Sequence, residues 1–252
     1  MLHLIGIGLN DEKDITVKGL EMVKQCAKVY LEGYTSFLQV PVSKLEEFYE
    51  KKIMVCDRKA IEIDSDKTIL REAKDADVAL LVIGDPFGAT THTDLFLRAK
   101  KMAVPIEVVH NASILNAVGE VGLELYKFGK TTSIPFPEDG FDVETPYDVI
   151  AANKKQGLHT LVLLDLRPAE DRFMTVNQAI ERLTSIEGRR QEGVFPKDGA
   201  CVGCARLGSP DRILKFGEAE KVHRKDFGRP PHCLIVPGNL HFMEEDMLEL
   251  WS

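Results

Sequence analysis

A chain of 252 residues, 44% of them apolar, can bury a large core, and its length falls between one big α/β domain and two small ones. The formal charge of −8 argues against a protein whose task is to grip bare nucleic acid or an anionic membrane. Five scattered cysteines, Cys26, Cys56, Cys201, Cys204 and Cys233, with no secretory segment after Met1, read as reduced thiols of a cytoplasmic protein, and the longest apolar run, Val78 to Ile83, has the length of a buried strand and not of a membrane span.

In the first half, short β-branched runs alternate with helical patterns, the rhythm of parallel strands joined by crossover helices. Leu2 to Ile7 reads as the first strand, closed by Gly6, Gly8 and the turn pair Asn10-Asp11. Val17, Leu20, Val23 and Ala27 then recur at helical spacing. Strands follow at Val29 to Leu31, Ile53 to Cys56, Val78 to Ile83 and Ile106 to Val109, with helical patterns clearest over Thr68 to Lys74 and Thr91 to Met102. After Asn111 the texture changes, because Val118 to Lys130 is Gly-rich and the later connections are less regular.

We therefore expect two α/β domains, residues 1–112 with a mostly parallel sheet and residues 113–252 with a mixed sheet. In the second, strands are expected at Thr132 to Phe136, His159 to Leu166, Ala200 to Leu207, Ile213 to Phe216 and Cys233 to Val236. Helices are expected at Pro146 to Lys155, Val176 to Ser185 and Glu244 to Leu250. Glu187 to Asp198, rich in Gly, Arg and charge, reads as an exposed loop.

Three strand ends carry residues suited to a ligand. Ile5 to Asp11 has the G-x-G opening of a dinucleotide fingerprint, but Asp11 stands where the third glycine would be and would repel a pyrophosphate. A cofactor without phosphates has no such requirement, and a plain tight turn explains the glycines equally well. Gly84-Asp85-Pro86-Phe87-Gly88 follows the most apolar strand: Asp85 can accept hydrogen bonds from a ligand and Gly88 admits close backbone approach, while an Asp-Pro turn with Thr90 or Thr91 capping the next helix accounts for the same residues. His110-Asn111-Ala112-Ser113-Ile114 repeats the arrangement, with Ser113 also readable as an ordinary N-cap.

Cys201-Val202-Gly203-Cys204 lies within a strand pattern, where positions i and i+3 face opposite ways, so buried packing is the simpler reading and no metal site is expected. No histidine pair has ligand spacing, and no nucleophile elbow or P-loop is present.

Gly6-Ile7-Gly8-Leu9, Asp14 to Gly19, Glu32 to Ser36, Gly84-Asp85-Pro86, Ala89 to His92, His110 to Ile114, Leu125 to Lys130 and Gly157 to Thr160 together resemble the diphthine synthase family. The likeness continues through Met174 to Asn177, Ala205-Arg206, Asp226 to Gly228, Pro230-Pro231-His232 and Val236 to Gly238. The resemblance implies a tetrapyrrole-methylase-like fold, a homodimer, and S-adenosyl-L-methionine held in a cleft between the domains and released as S-adenosyl-L-homocysteine.

It further implies that the substrate is elongation factor 2, methylated on the amine of a 3-amino-3-carboxypropyl-modified histidine. The family's cofactor contacts carry over to Leu9, Asp85, Gly88, Ser113, Ile114, Leu164, Leu207 and His232; no catalytic residue is assigned. The short connection from Asp165 to Met174 resembles archaeal members and implies three methylations giving diphthine. Rival readings are a tetrapyrrole C-methyltransferase of the same fold, a nucleotide-binding regulator or NAD-dependent oxidoreductase, and a non-catalytic translation-factor binding protein.

Overall fold

The computed structural model describes residues 1–89, 92–137 and 143–252. The chain divides into two compact units, one of Met1–Leu115 with Pro168–Glu170, the other of Asn116–Arg167 with Asp171–Ser252.

The first unit is built on β1 (Leu2–Gly6), β2 (Lys28–Glu32), β3 (Ile53–Cys56), β4 (Val78–Val82) and β5 (Ile106–Val109), all parallel in the order β3-β2-β4-β1-β5. The run Val-Ala-Leu-Leu-Val in β4 is buried at every position, as a strand covered on both faces must be. Its side chains divide by alternation: Ala79 and Leu81 join Ile5, Val23, Leu45 and Tyr49, while Val78, Leu80 and Val82 join Leu2, Leu4, Leu95 and Ala99. Helices α1 (Val17–Gln25), α2 (Val42–Tyr49), α3 (Arg58–Glu62), α4 (Ile69–Glu72) and α5 (Thr93–Lys101) supply those covers, and α6 (Ile114–Ala117) leads out.

Thr16 caps α1, its hydroxyl accepting from Gly19 N–H at 3.0 Å. Gly19 lets that helix lie on β1, since a Cβ there would come within 2.9 Å of Ile5.

Two differences from the sequence expectation have simple causes. The helix expected over Thr68 to Lys74 is only Ile69–Glu72, with Thr68 and Ala73 as its caps, and it follows two other short pieces, α3, capped by the Asp57 carboxylate, and a 3-10 turn at Ser65–Lys67. Helix α2, unassigned from the sequence, buries just Leu45 and Tyr49, too narrow a stripe to stand out as a pattern. Thr90 and Thr91, the expected caps of the helix after β4, lie outside the described residues.

The second unit holds β6 (Thr132–Ile134), β7 (Thr160–Leu164), β10 (Ala200–Ala205), β11 (Ile213–Glu218) and β12 (His232–Val236) in the order β11-β10-β12-β7-β6. β6 and β7 are parallel and the other pairs antiparallel, so the sheet is mixed. β8 (Leu166–Arg167) and β9 (Arg172–Phe173) form a separate hairpin, shortening the strand expected to run to Leu166. Helices α7 (Thr145–Lys155), α8 (Val176–Arg190) and α9 (Ala219–His223) contribute Tyr147, Ile150, Ile180, Leu183 and Val222 to one core with Val162, Leu234 and Val236.

The segment expected as an exposed loop from Glu187 is corrected. α8 continues to Arg190, and Val194 and Phe195 are buried, because the Glu187 carboxylate accepts from Gly193 N–H, Phe195 N–H and the Tyr147 hydroxyl and folds the chain back.

Cys201 belongs to this core, while Cys204 stands opposite Cys233 in the register with β12; all five cysteines are buried and free. The last helix, α10 (Phe242–Glu249), is tied down by Glu244, only 1% exposed. Its carboxylate accepts from Lys127, Glu124 N–H, His241 N–H and His159 Nε2. Among the described residues no helix is long and apolar enough to cross a membrane.

Candidate functional site

The loops leaving β1, β4 and β5 are neighbours because those strands are neighbours, and the carboxyl ends of such strands are where open α/β sheets take ligands. Gly8 and Gly84 both adopt left-handed backbone, φ 78° and 81°, a conformation strained for other side chains. That turn lets Gly84 N–H donate to the Gly8 carbonyl at 2.7 Å. Asn111, leaving β5, donates through Nδ2 to the carbonyls of Gly6 and Asp14, each at 2.9 Å. Three loops are thereby fastened into one body.

The loop after β1 presents two backbone N–H groups side by side, the arrangement that cradles a phosphate in dinucleotide-binding folds. Here it is already filled: Leu9 and Asn10 donate at 3.0 and 2.7 Å to Oδ2 of Asp14. A phosphate would have to displace a carboxylate and face its charge. The Asp11 carboxylate, which the sequence suggested as the repelling group, is occupied by Lys13 N–H and the Asn10 side chain. At these two N–H groups the charge a phosphate would meet is that of Asp14, not of Asp11.

Asp85 is held at both oxygens. Phe87 N–H donates to Oδ1 at 2.9 Å, and Asn111 N–H and His110 Nδ1 meet Oδ2 at 3.1 and 2.8 Å. Burial pushes this carboxyl up, but the hydrogen bonds from Phe87, His110 and Asn111 outweigh it and hold Asp85 below the usual carboxylate range. An ionised Asp85 can only accept, so Nδ1 of His110 carries the hydrogen.

Gly88 abuts Ser113 so closely that a Cβ would come within 2.7 Å of its side chain. The Ser113 hydroxyl in turn accepts from Leu115 N–H at 3.2 Å at the start of α6, which begins with Ile114. Leu9, Asp85, Gly88, Ser113 and Ile114 thus gather in one loop cluster of the first unit.

The other three residues named from the resemblance gather in the second unit. Leu164 ends β7, His232 begins β12 and is paired with Ala205 of β10, and Leu207 follows two residues later, so all three lie at one end of the mixed sheet. Both His232 nitrogens are engaged: Nδ1 accepts from Val176 N–H at 3.4 Å, and Nε2 lies 3.2 Å from the carbonyls of Gly228 and Arg229. Burial lowers its pKa and keeps it neutral. Arg206 braces the approach to Leu207, its N–H donating to the Pro231 carbonyl at 2.8 Å and its guanidinium to Asp211 and the Phe227 carbonyl.

Asp14 and Asn111, to which neither motif nor resemblance assigns a role, set the loop geometry. Spacing alone could not reveal them, since Asn111 reaches a carbonyl 105 residues away. Among the described residues no group of three His, Cys, Asp or Glu side chains is placed to hold a metal.

Residues 1–222 match the family model described as tetrapyrrole (corrin/porphyrin) methylases. The diphthine synthase of Methanocaldococcus jannaschii is 48% identical over 99% of this chain and 98% of its own length. The diphthine methyl ester synthase of Homo sapiens is 47% identical over 100% of this chain and 95% of its own. This chain belongs to the diphthine synthase family. A crystal structure of a diphthine synthase superposes with a TM-score of 0.91 at 38% identity, covering 100% of this chain and 95% of that one. As in the tetrapyrrole methylases at large, membership makes the chain a methyltransferase, and the filled nest after β1 agrees with a family that is not built around a dinucleotide.

Proposed function

We propose that this chain transfers methyl groups from S-adenosylmethionine to the amine of the 3-amino-3-carboxypropyl-modified histidine of elongation factor 2, giving diphthine. The observation that carries the reading is near end-to-end identity of 47 to 48% with relatives named for diphthine and its methyl ester. The Asp14 carboxylate supports the choice of cofactor, because it tolerates an adenosyl sulfonium where it would oppose a pyrophosphate.

Leu9, Asp85, Gly88, Ser113, Ile114, Leu164, Leu207 and His232 are proposed as the cofactor contacts, with His232 acting through its backbone or ring face. The protein is proposed to work as a cytoplasmic homodimer, without direct contact to nucleic acid or membrane. Three methyl groups are proposed because the Asp165 to Met174 connection is short, and because the archaeal relative aligns over 252 positions where the human one takes 272.

S-adenosylmethionine supplies a methyl group on a positively charged sulfur, a leaving group that needs no further activation. What the protein must add is alignment of the amine lone pair behind the carbon–sulfur bond. Holding reacting atoms in that geometry is worth roughly 7 to 11 kcal/mol of barrier. The test is mass spectrometry of elongation factor 2 bearing the unmethylated group, after incubation with this protein and labelled cofactor. Three labelled methyl groups on one residue are expected. No label there, with label on a porphyrinogen instead, would move the chain to tetrapyrrole methylation.

A further inference from the structure

Methylation of an amine under neutral conditions has a proton to dispose of. The substrate nitrogen rests as an ammonium, which has no lone pair; each turnover must take one proton from it before the new nitrogen–carbon bond can form. Three methylations of one amine therefore release three protons.

Resting on the function proposed above, we infer that His110 is the base that takes those protons, through Nε2, with Asp85 as its positioning residue. The arrangement is that of a histidine prepared for proton transfer. The Asp85 carboxylate meets Nδ1 at 2.8 Å and is itself fixed by Phe87 N–H and Asn111 N–H. Since Asp85 can only accept, the hydrogen of the neutral imidazole sits on Nδ1 and the lone pair on Nε2.

The imidazole is 69% exposed while the Asp85 side chain is 14% exposed, so the anchor is inside and the working nitrogen outside. Among the described residues Nε2 has no hydrogen-bond partner. The Phe87 ring, 6.4 Å from the imidazole and itself packed on Phe96 at 6.1 Å, flanks the same face. Among the described residues Asp85 is the charged group paired with His110.

His110 also lies in the right place. It immediately precedes Asn111, which fastens the loop cluster, and Asp85 belongs to the Gly84 to Gly88 loop proposed to bind the cofactor.

The step balances simply. The ammonium N–H bond breaks, its electron pair stays on nitrogen, and the proton goes to Nε2; the nitrogen then attacks the methyl carbon, and the carbon–sulfur pair leaves with sulfur. Nε2 returns the proton to solvent before the next cycle.

The test compares the parent protein with His110→Ala and His110→Gln. S-adenosylhomocysteine affinity is measured by calorimetry in all three, and methyl transfer is read at saturating cofactor, so that any loosening of Asp85 on loss of its His110 bond is separated from the chemistry. Methyl transfer to modified elongation factor 2 at neutral pH should fall about 100-fold in both variants, the usual contribution of a positioned base. The loss should shrink as pH rises and the amine deprotonates unaided, and added imidazole should restore His110→Ala but not the filled His110→Gln site. Unchanged rates, or a loss that neither alkali nor imidazole reverses, would overturn the assignment and leave His110 a packing residue. Failure of the parent to bind S-adenosylhomocysteine would strike the proposed function itself, which the binding measurement reports separately.

Discussion

Two of the histidine–carboxylate pairs of this protein, one in each unit, do opposite work. In the second unit His159 and Glu244 are both shut away from water; Nδ1 of His159 accepts from Gly238 N–H, Nε2 meets Glu244, and no ring nitrogen is left over. In the first unit Asp85 spends one nitrogen of His110 and leaves the other at the surface. The chemistry of the pairs is the same. What separates a clamp from a reactive group is how many of the ring's two nitrogens the fold consumes.

Removing the closed pair should have the largest effect on stability. Glu244→Ala strands His159 and two backbone N–H groups and leaves Lys127 without its counter-charge, and should cost about 3 to 5 kcal/mol in urea unfolding. A loss under about 1 kcal/mol would mean the clamp is decorative.

The open pair should instead register in binding. Asp85→Ala should weaken S-adenosylhomocysteine by about 10- to 100-fold in calorimetry, the loss of charge-assisted hydrogen bonds that order the loop, with little change in unfolding midpoint. Equal affinity in parent and variant would remove Asp85 from the cofactor site.

The contrast also predicts a pH dependence of stability. Burial raises the Glu244 carboxyl, but hydrogen bonds from Lys127, Glu124 and His241 N–H and His159 bring it down to about 2. A depressed carboxylate stabilises the fold fully above its unfolded value and loses that contribution as pH falls toward 2. Parent and Glu244→Gln should therefore differ most near neutrality and converge in acid, read from urea midpoints across that range. Parallel curves would contradict the depressed value. The smallest expected effect is from His159→Gln, which should lower stability by roughly 1 kcal/mol and leave the pH profile of methyl transfer unchanged.

Much of the fold could be read before any coordinates. β4 announces itself because a strand covered on both faces must be apolar throughout, and the alternation of strands and helices in the first half has few solutions other than a parallel sheet. The helices between β2 and β4 were harder. α2 buries two residues, and the segment after β3 is chopped into pieces too short to show a period. The Glu187 region misled for a different reason: composition reports that Gly and Arg are present, not that one carboxylate gathers the chain around itself.

The candidate site divides the same way. Leu9, Asp85, Gly88, Ser113 and Ile114 stood out by motif. Asp14 and Asn111 did not, because their work lies in which backbone groups they reach.

By itself, the amino-acid order determined most of the strand and helix types, the family, and the set of loops that carry chemistry, since these depend on local periodicity and on residues adjacent in the chain. Only the tertiary structure decided that Asp14 fills the nest after β1, that His232 has both nitrogens engaged, and that His110 keeps one nitrogen for solvent. Those outcomes turn on hydrogen bonds between groups brought together by strand pairing, and a hydrogen bond is decided by distances of a few tenths of an ångström that sequence spacing does not carry.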